Sequence, residues 1–241
     1  MPFTFSHPAI ILPLTKYSGR YLSLTGLIMG SIAPDFEYFF RMRIQSNFSH
    51  TVGGLFYFDL PVGLLLSIVF HNLIRDALYE NLPTTLKNRL RVFKTFKWNE
   101  YFRGHYFVVI VSILIGASSH LFWDSFTHIH GYFVDRLSTL QGSVNFMGHD
   151  IGVYKLLQHL STLIGGLVIA FVFSRLPTDN MTGQKISVKY WLIVSTITVA
   201  IVGLRLAFGV EKNFFGQLIG TGITALLIAL TFAPTLTKLK I

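Results

Sequence analysis

The chain has 241 residues, of which 51% are hydrophobic and only 13% charged, with a mean hydropathy of +0.54. A soluble domain carries about 25% charged residues, so this balance excludes intrinsic disorder, a disulfide-stapled module and an ordinary cytosolic enzyme, and marks a membrane protein. The net charge of +9 falls beside and between apolar spans, as the positive-inside rule produces, which argues against a nucleic-acid partner.

Met1 to His7 has no basic region ahead of its apolar residues, so no cleavable signal peptide is expected. From Pro8 to Ala33 the chain is apolar but interrupted by Pro13, Lys16 and Arg20, which predicts two short helices at the membrane interface. Five spans near the ~20 residues a bilayer requires follow. They run Val52–Ile74, His105–Trp123, Leu156–Ser174, Tyr190–Phe208 and Phe214–Ala233. The first carries Asp59, which a shifted span boundary would explain, and the fourth carries Arg205 near its end, where it can snorkel. The expected fold is all-α: a polytopic membrane helix bundle of about five transmembrane helices plus interfacial N-terminal helices. It is read as one membrane-integral domain, with residues 1–175 holding the chemistry and 176–241 adding two packing helices.

Between the first two spans lie Arg75, Lys87, Arg89, Arg91, Lys94, Lys97 and Arg103, a segment expected to be helical and amphipathic. With Arg175, Lys185, Lys189, Lys238 and Lys240 they modestly outnumber the positive charges of the other face. That bias predicts a cytoplasmic C-terminus and an extracytoplasmic N-terminus in a bacterial inner membrane.

Cysteine is absent, so any metal must be held by nitrogen and oxygen. Histidine supplies the means. His7, His50, His120, His128, His130, His149 and His159 all fall on the extracytoplasmic side of the five-span arrangement, and only His71 and His105 on the basic side. His120, Asp124 and His128 are spaced at i, i+4 and i+8, so a continuous helix presents all three from nearly one face. Imidazole and carboxylate converging in this way are what a divalent metal binds. A carboxylate ending an uncharged span is also costly without a partner. The second feature is Gly30-Ser-Ile-Ala-Pro34-Asp35, followed by Ser49-His50. Pro34 predicts a break, which leaves Asp35 at the start of the next helix, as a capping residue or a ligand. His159, opening the third span, is a further ligand or a hydrogen-bond donor behind the ligands. Arg41 and Arg43 either attract a phosphate or snorkel.

Together these segments, with the opening Met1-Pro-Phe-Thr-Phe-Ser-His7-Pro-Ala and with Gln158-His159, resemble an uncharacterised bacterial family of multi-span proteins along nearly the whole chain. More loosely, the order His, Pro-Asp, Ser-His, His-x-x-x-Asp resembles predicted membrane-bound metal-dependent hydrolases. Through them it is similar to the zinc-dependent phospholipase C and single-strand nuclease superfamily. That resemblance implies His7, Asp35, His50, His120 and Asp124 as metal ligands, with Asp35 or Asp124 bridging two ions, and matches His128 to the family's next histidine. The chain departs from the phospholipases in having no visible signal peptide to expose an N-terminal ligand, and no late His-x-x-x-Glu pair, since His159 is followed by Leu163.

The functional expectation is a membrane-integral hydrolase using one or two zinc ions, with manganese or iron as alternatives, on a phosphoester of a lipid or lipid-linked substrate. Its partners would be membrane lipids. The competing expectation is a non-catalytic scaffold or transporter with a structural metal or none. Few polar residues lie near the middle of the spans, which disfavours a transporter.

Overall fold

A computed structural model describes residues 3–178, 186–209 and 214–238. Lys185, Lys212 and Lys240, which enter the charge bias, and the first two residues of the opening motif lie outside them.

The N-terminal region holds two short α-helices, joined and preceded by 3-10 turns. A 3-10 turn at Thr4–Ser6 leads into α1 (Pro8–Ile11), and a second at Leu12–Tyr17 precedes α2 (Leu24–Ile32). Pro8 and Pro13 sit at the starts of such turns, where their missing N–H costs nothing. The Ser23 side chain caps α2 by accepting from Gly26 N. The expected break at Pro34 appears as a 3-10 turn, Ala33–Asp35, before α3 (Phe36–Arg41).

The first membrane helix, Leu55–Asn81, alternates π-helical turns at Leu55–Asp59 and Phe70–Ile74 with α4 (Leu60–Val69) and α5 (Arg75–Asn81). Next come α6 (Thr84–Leu90), the 30-residue α7 (Trp98–Thr127) and the short α8 (Ser138–Gln141). The strands β1 (Ser143–Phe146) and β2 (His149–Gly152) pair antiparallel around a two-residue turn at Met147 and Gly148, both with positive φ. They are followed by α9 (Val153–Ser174), α10 (Val188–Ala207) and α11 (Phe214–Lys238).

Five helices are long and apolar enough to cross a membrane: Leu55–Asn81, Trp98–Thr127, Val153–Ser174, Val188–Ala207 and Phe215–Lys238. The protein is thus an all-α membrane protein. The first begins at Leu55 and runs past its expected end, because the helix continues through Arg75, Asp76 and Glu80; the second is kinked at His105, its expected start, and ends at Thr127. Asp59 closes the opening π-helical turn of the first helix, which starts at Leu55 rather than Val52, and is fully buried.

The chain forms two compact units that alternate along the sequence. The first comprises Met1–Pro34, Phe48–Leu64 and Phe102–Arg175. Its core joins Ile11, Leu27, Val109, Ile113 and Ala117, all fully buried. Here α2 and α7 cross in backbone contact. A Cβ at Gly30 would fall on the Ile113 carbonyl, and one at Gly116 on the Leu27 carbonyl. Gly63 meets the Ile113 side chain in the same layer. The segment before α1 is tied to α9, with Phe3 N donating to Thr162 Oγ1 at 3.0 Å and Ser6 Oγ to Thr162 O at 3.1 Å.

The second unit comprises Asp35–Asn47, Leu65–Tyr101 and Leu176–Ile241. Its core gathers Tyr190 and Val194 of α10 with Ala229 and Ala233 of α11. Trp191 Nε1 donates to Asn81 O, and Ser187 N donates to Asn81 Oδ1, fixing the start of α10 against the end of α5.

Candidate metal centre

The centre is built in the first unit around Asp124, near the C-terminal end of α7. Because α7 is continuous there, His120 and Asp124 share a face, and His128 follows immediately after the helix. His7 arrives on the turn before α1. His50 arrives on the Phe48–Gly54 loop, which is closed by Thr51 Oγ1 donating to Phe48 O and accepting from Gly54 N.

The Asp124 carboxylate, 5% exposed, meets four imidazoles. Oδ2 lies 3.3 Å from His120 Nε2 and 3.5 Å from His50 Nε2. Oδ1 lies 3.6 Å from His7 Nε2 and 3.5 Å from His128 Nδ1. Ligand atoms of His50, His120 and Asp124 all lie within 4.8 Å of one another. The His7 and His120 rings stack at 3.6 Å and 13°. The inner side of the group is closed, since His7 and His120 are buried, while the side chains of His50 and His128 keep 20% and 27% of their surface exposed.

These separations fit a metal better than they fit ion pairs. Charge-assisted N–H···O⁻ bonds run about 2.7–2.9 Å, shorter than any of the four. Ligand bonds of about 2.0–2.2 Å at tetrahedral angles separate neighbouring ligand atoms by about 3.3–3.6 Å, as His120 and His50 Nε2 are from Asp124 Oδ2. Ring chemistry points the same way. His120 Nδ1 lies 2.7 Å from the Ser31 carbonyl, which only accepts, so Nδ1 carries the hydrogen. In the neutral ring Nε2 is then a lone pair facing a carboxylate, an arrangement relieved by a cation held between them or by a proton on Nε2. Protonating both His120 and His7 instead would stack two cations in a buried place. Ser49 Oγ, 2.9 Å from His50 Nδ1, holds the second ring in place, although a hydroxyl can donate or accept there. Buried histidine and aspartate groups of this protein could hold a metal ion.

His128 turns Nδ1 toward the Asp124 backbone carbonyl, at 3.2 Å, and toward Thr127 Oγ1, at 3.3 Å. Any ligation by it would use Nε2. Burial pushes its imidazole below the usual histidine range, with the Asp124 carboxylate opposing. Asp35 is the first residue of the second unit. It is fully buried and makes no side-chain capping bond, so helix capping does not account for it. His159 is exposed on α9, beside a buried Gln158, and is outside the group around Asp124. Arg41 is committed within the second unit to Glu37, with Nε and Nη2 at 3.0 and 2.9 Å from Oε1. Sequence reasoning did not foresee the Ser31 carbonyl or the Ser49 hydroxyl, although both lie inside the segments it singled out.

Residues 1–235 match the profile of a family described as Domain of unknown function (DUF4184). The chain belongs to that family. The match takes in both units and every residue of the centre. No curated protein and no solved structure matches the chain. What this DUF4184 member does must therefore be argued from its own geometry.

Proposed function

We propose that this DUF4184 member is a membrane-integral, metal-dependent hydrolase of phosphoester bonds in a lipid or lipid-linked substrate. The observation that carries the reading is the set of three imidazole Nε2 atoms, from His7, His50 and His120, 3.3–3.6 Å from a single buried carboxylate. An all-nitrogen-and-oxygen shell suits zinc, with manganese or iron as alternatives. When bound, such an ion lowers the pKa of a coordinated water towards ~7 and polarises a phosphoryl oxygen.

The chain's own residues divide the remaining work. His120 and Asp124 hold from the closed side, His120 aligned by the Ser31 carbonyl. His50, aligned by Ser49, and His128 stand at the partly exposed edge, where a substrate enters. Asp124 lies three residues from the end of a membrane-spanning helix, which suits a substrate whose phosphate sits at head-group depth. The modest charge bias of the loops supports an extracytoplasmic position for that end in an inner membrane.

The test begins with elemental analysis of detergent-purified protein beside His120→Ala and Asp124→Ala. Bound metal in the wild type, lost in both variants, is the expected result, followed by release of phosphorylated head groups from phospholipid micelles. Protein that takes up no metal after reloading would overturn the reading. Metal retained without turnover on phosphodiester and phosphomonoester lipids would leave a structural ion.

A further inference from the structure

We propose that the connector between the first two membrane helices, residues 82–97, is a docking surface for the head groups of anionic phospholipids. This is independent of the centre around Asp124. The connector contains Lys87, Arg89, Arg91, Lys94 and Lys97 and no acidic residue. It joins a membrane helix ending at Asn81 to one beginning at Trp98, so it lies within a few residues of the bilayer at both ends.

The structure divides its bases by direction. Lys87 is buried against the protein, and Arg89 donates from Nη1 to Leu176 O at 3.1 Å. These two hold α6 in place. The chain then leaves α6 through a 3-10 turn, Arg91–Phe93, and presents Arg91, Val92, Phe93, Lys94 and Lys97 outward. Val92 and Phe93 are 51% and 39% exposed although they lie outside the spans. Apolar side chains alternating with cations suit one environment in particular, the head-group layer. There phosphates meet the cations and the acyl boundary receives the apolar groups. A soluble acidic partner would leave Val92 and Phe93 without apolar company.

For Lys94 and Lys97 the partners among the described residues leave the charge available. Glu100 pairs with Lys97 at 3.1 Å, but both are largely exposed, where such a pair is weak. Asp76 is taken by Arg75 at 2.8 Å. Lys94 rests 4.9 Å over the Tyr79 ring, which positions its ammonium without neutralising it.

The test counts lipids retained by the detergent-purified protein in native mass spectrometry, from an equal mixture of phosphatidylglycerol and phosphatidylcholine. The wild type should enrich phosphatidylglycerol. Combined Arg91→Gln, Lys94→Gln and Lys97→Gln should reduce that enrichment by about fivefold per charge removed, before screening. All three positions are exposed, so the variant should melt as the wild type does. A control removing Lys16, Arg20 and Arg136, also as Gln, should keep the preference. Three outcomes overturn the proposal: enrichment that survives in the connector variant, enrichment lost equally in the control, or no preference in the wild type. Excess inorganic phosphate that displaces the lipid as well as phosphatidylglycerol itself does would mark a site for free phosphate, and would also overturn it.

Discussion

His120 of α7 and Ser31 of α2 are joined by a single hydrogen bond, the imidazole Nδ1–H donating to the Ser31 carbonyl at 2.7 Å. The bond fixes the tautomer and aims Nε2 at Asp124. Nitrogen-15 spectra of histidine-labelled protein should therefore show His120 protonated at Nδ1 with or without added metal, and the Nε2 resonance moving when metal is added. A ring protonated at Nε2 in the neutral state would contradict the arrangement.

Bound metal should distinguish the histidines by their placement. His120→Ala should abolish stoichiometric metal. His159→Ala should leave it unchanged, because His159 is exposed on α9 and apart from the group. Elemental analysis of the two variants side by side decides this, and metal lost from His159→Ala would move that residue into the centre.

The partner that orients His50 should matter less than the ligands themselves. Ser49→Ala removes the hydroxyl 2.9 Å from His50 Nδ1 and should weaken metal affinity by about 10–100-fold without abolishing binding. Competition against a calibrated chelator measures it, and unchanged affinity would show that the Ser49 contact is incidental.

The α2–α7 crossing should tolerate no added carbon. Gly30→Ala drives a Cβ into the Ile113 carbonyl and should cost about 1–3 kcal/mol or more. Gly166→Ala, where nothing lies within 4 Å, should change stability by less than about 0.5 kcal/mol. Thermal unfolding in one detergent compares them, and equal melting temperatures would refute the close crossing.

In the second unit, Asn81→Ala removes the acceptor of Ser187 N, a 3.0 Å bond at the start of α10. Chemical denaturation should show a loss of about 0.5–1.5 kcal/mol.

The five membrane helices were legible because hydropathy over ~20 residues is a strong signal. Their ends were not, since Arg75, Asp76 and Glu80 look like loop residues but continue the helix once it is packed. The β1–β2 hairpin escaped notice because its four-residue strands carry little periodicity. At the centre, the i, i+4 spacing of His120 and Asp124 was readable along one helix. The approach of His7 and His50 to the same carboxylate depends on packing among segments far apart in sequence. The role of Ser31 was invisible for a different reason. Its contribution is a backbone carbonyl, which every residue possesses.

That last point shapes what a saturation mutagenesis map of this protein would look like. No side-chain exchange at position 31 deletes the acceptor, so small residues there should pass unnoticed. The sensitivity is displaced instead onto Gly30 and Gly116, whose bare backbones let the two helices touch. A reader of such a map would find two intolerant glycines carrying no reactive group. Their function is to set, through interhelical spacing, which nitrogen of a neighbouring histidine is available.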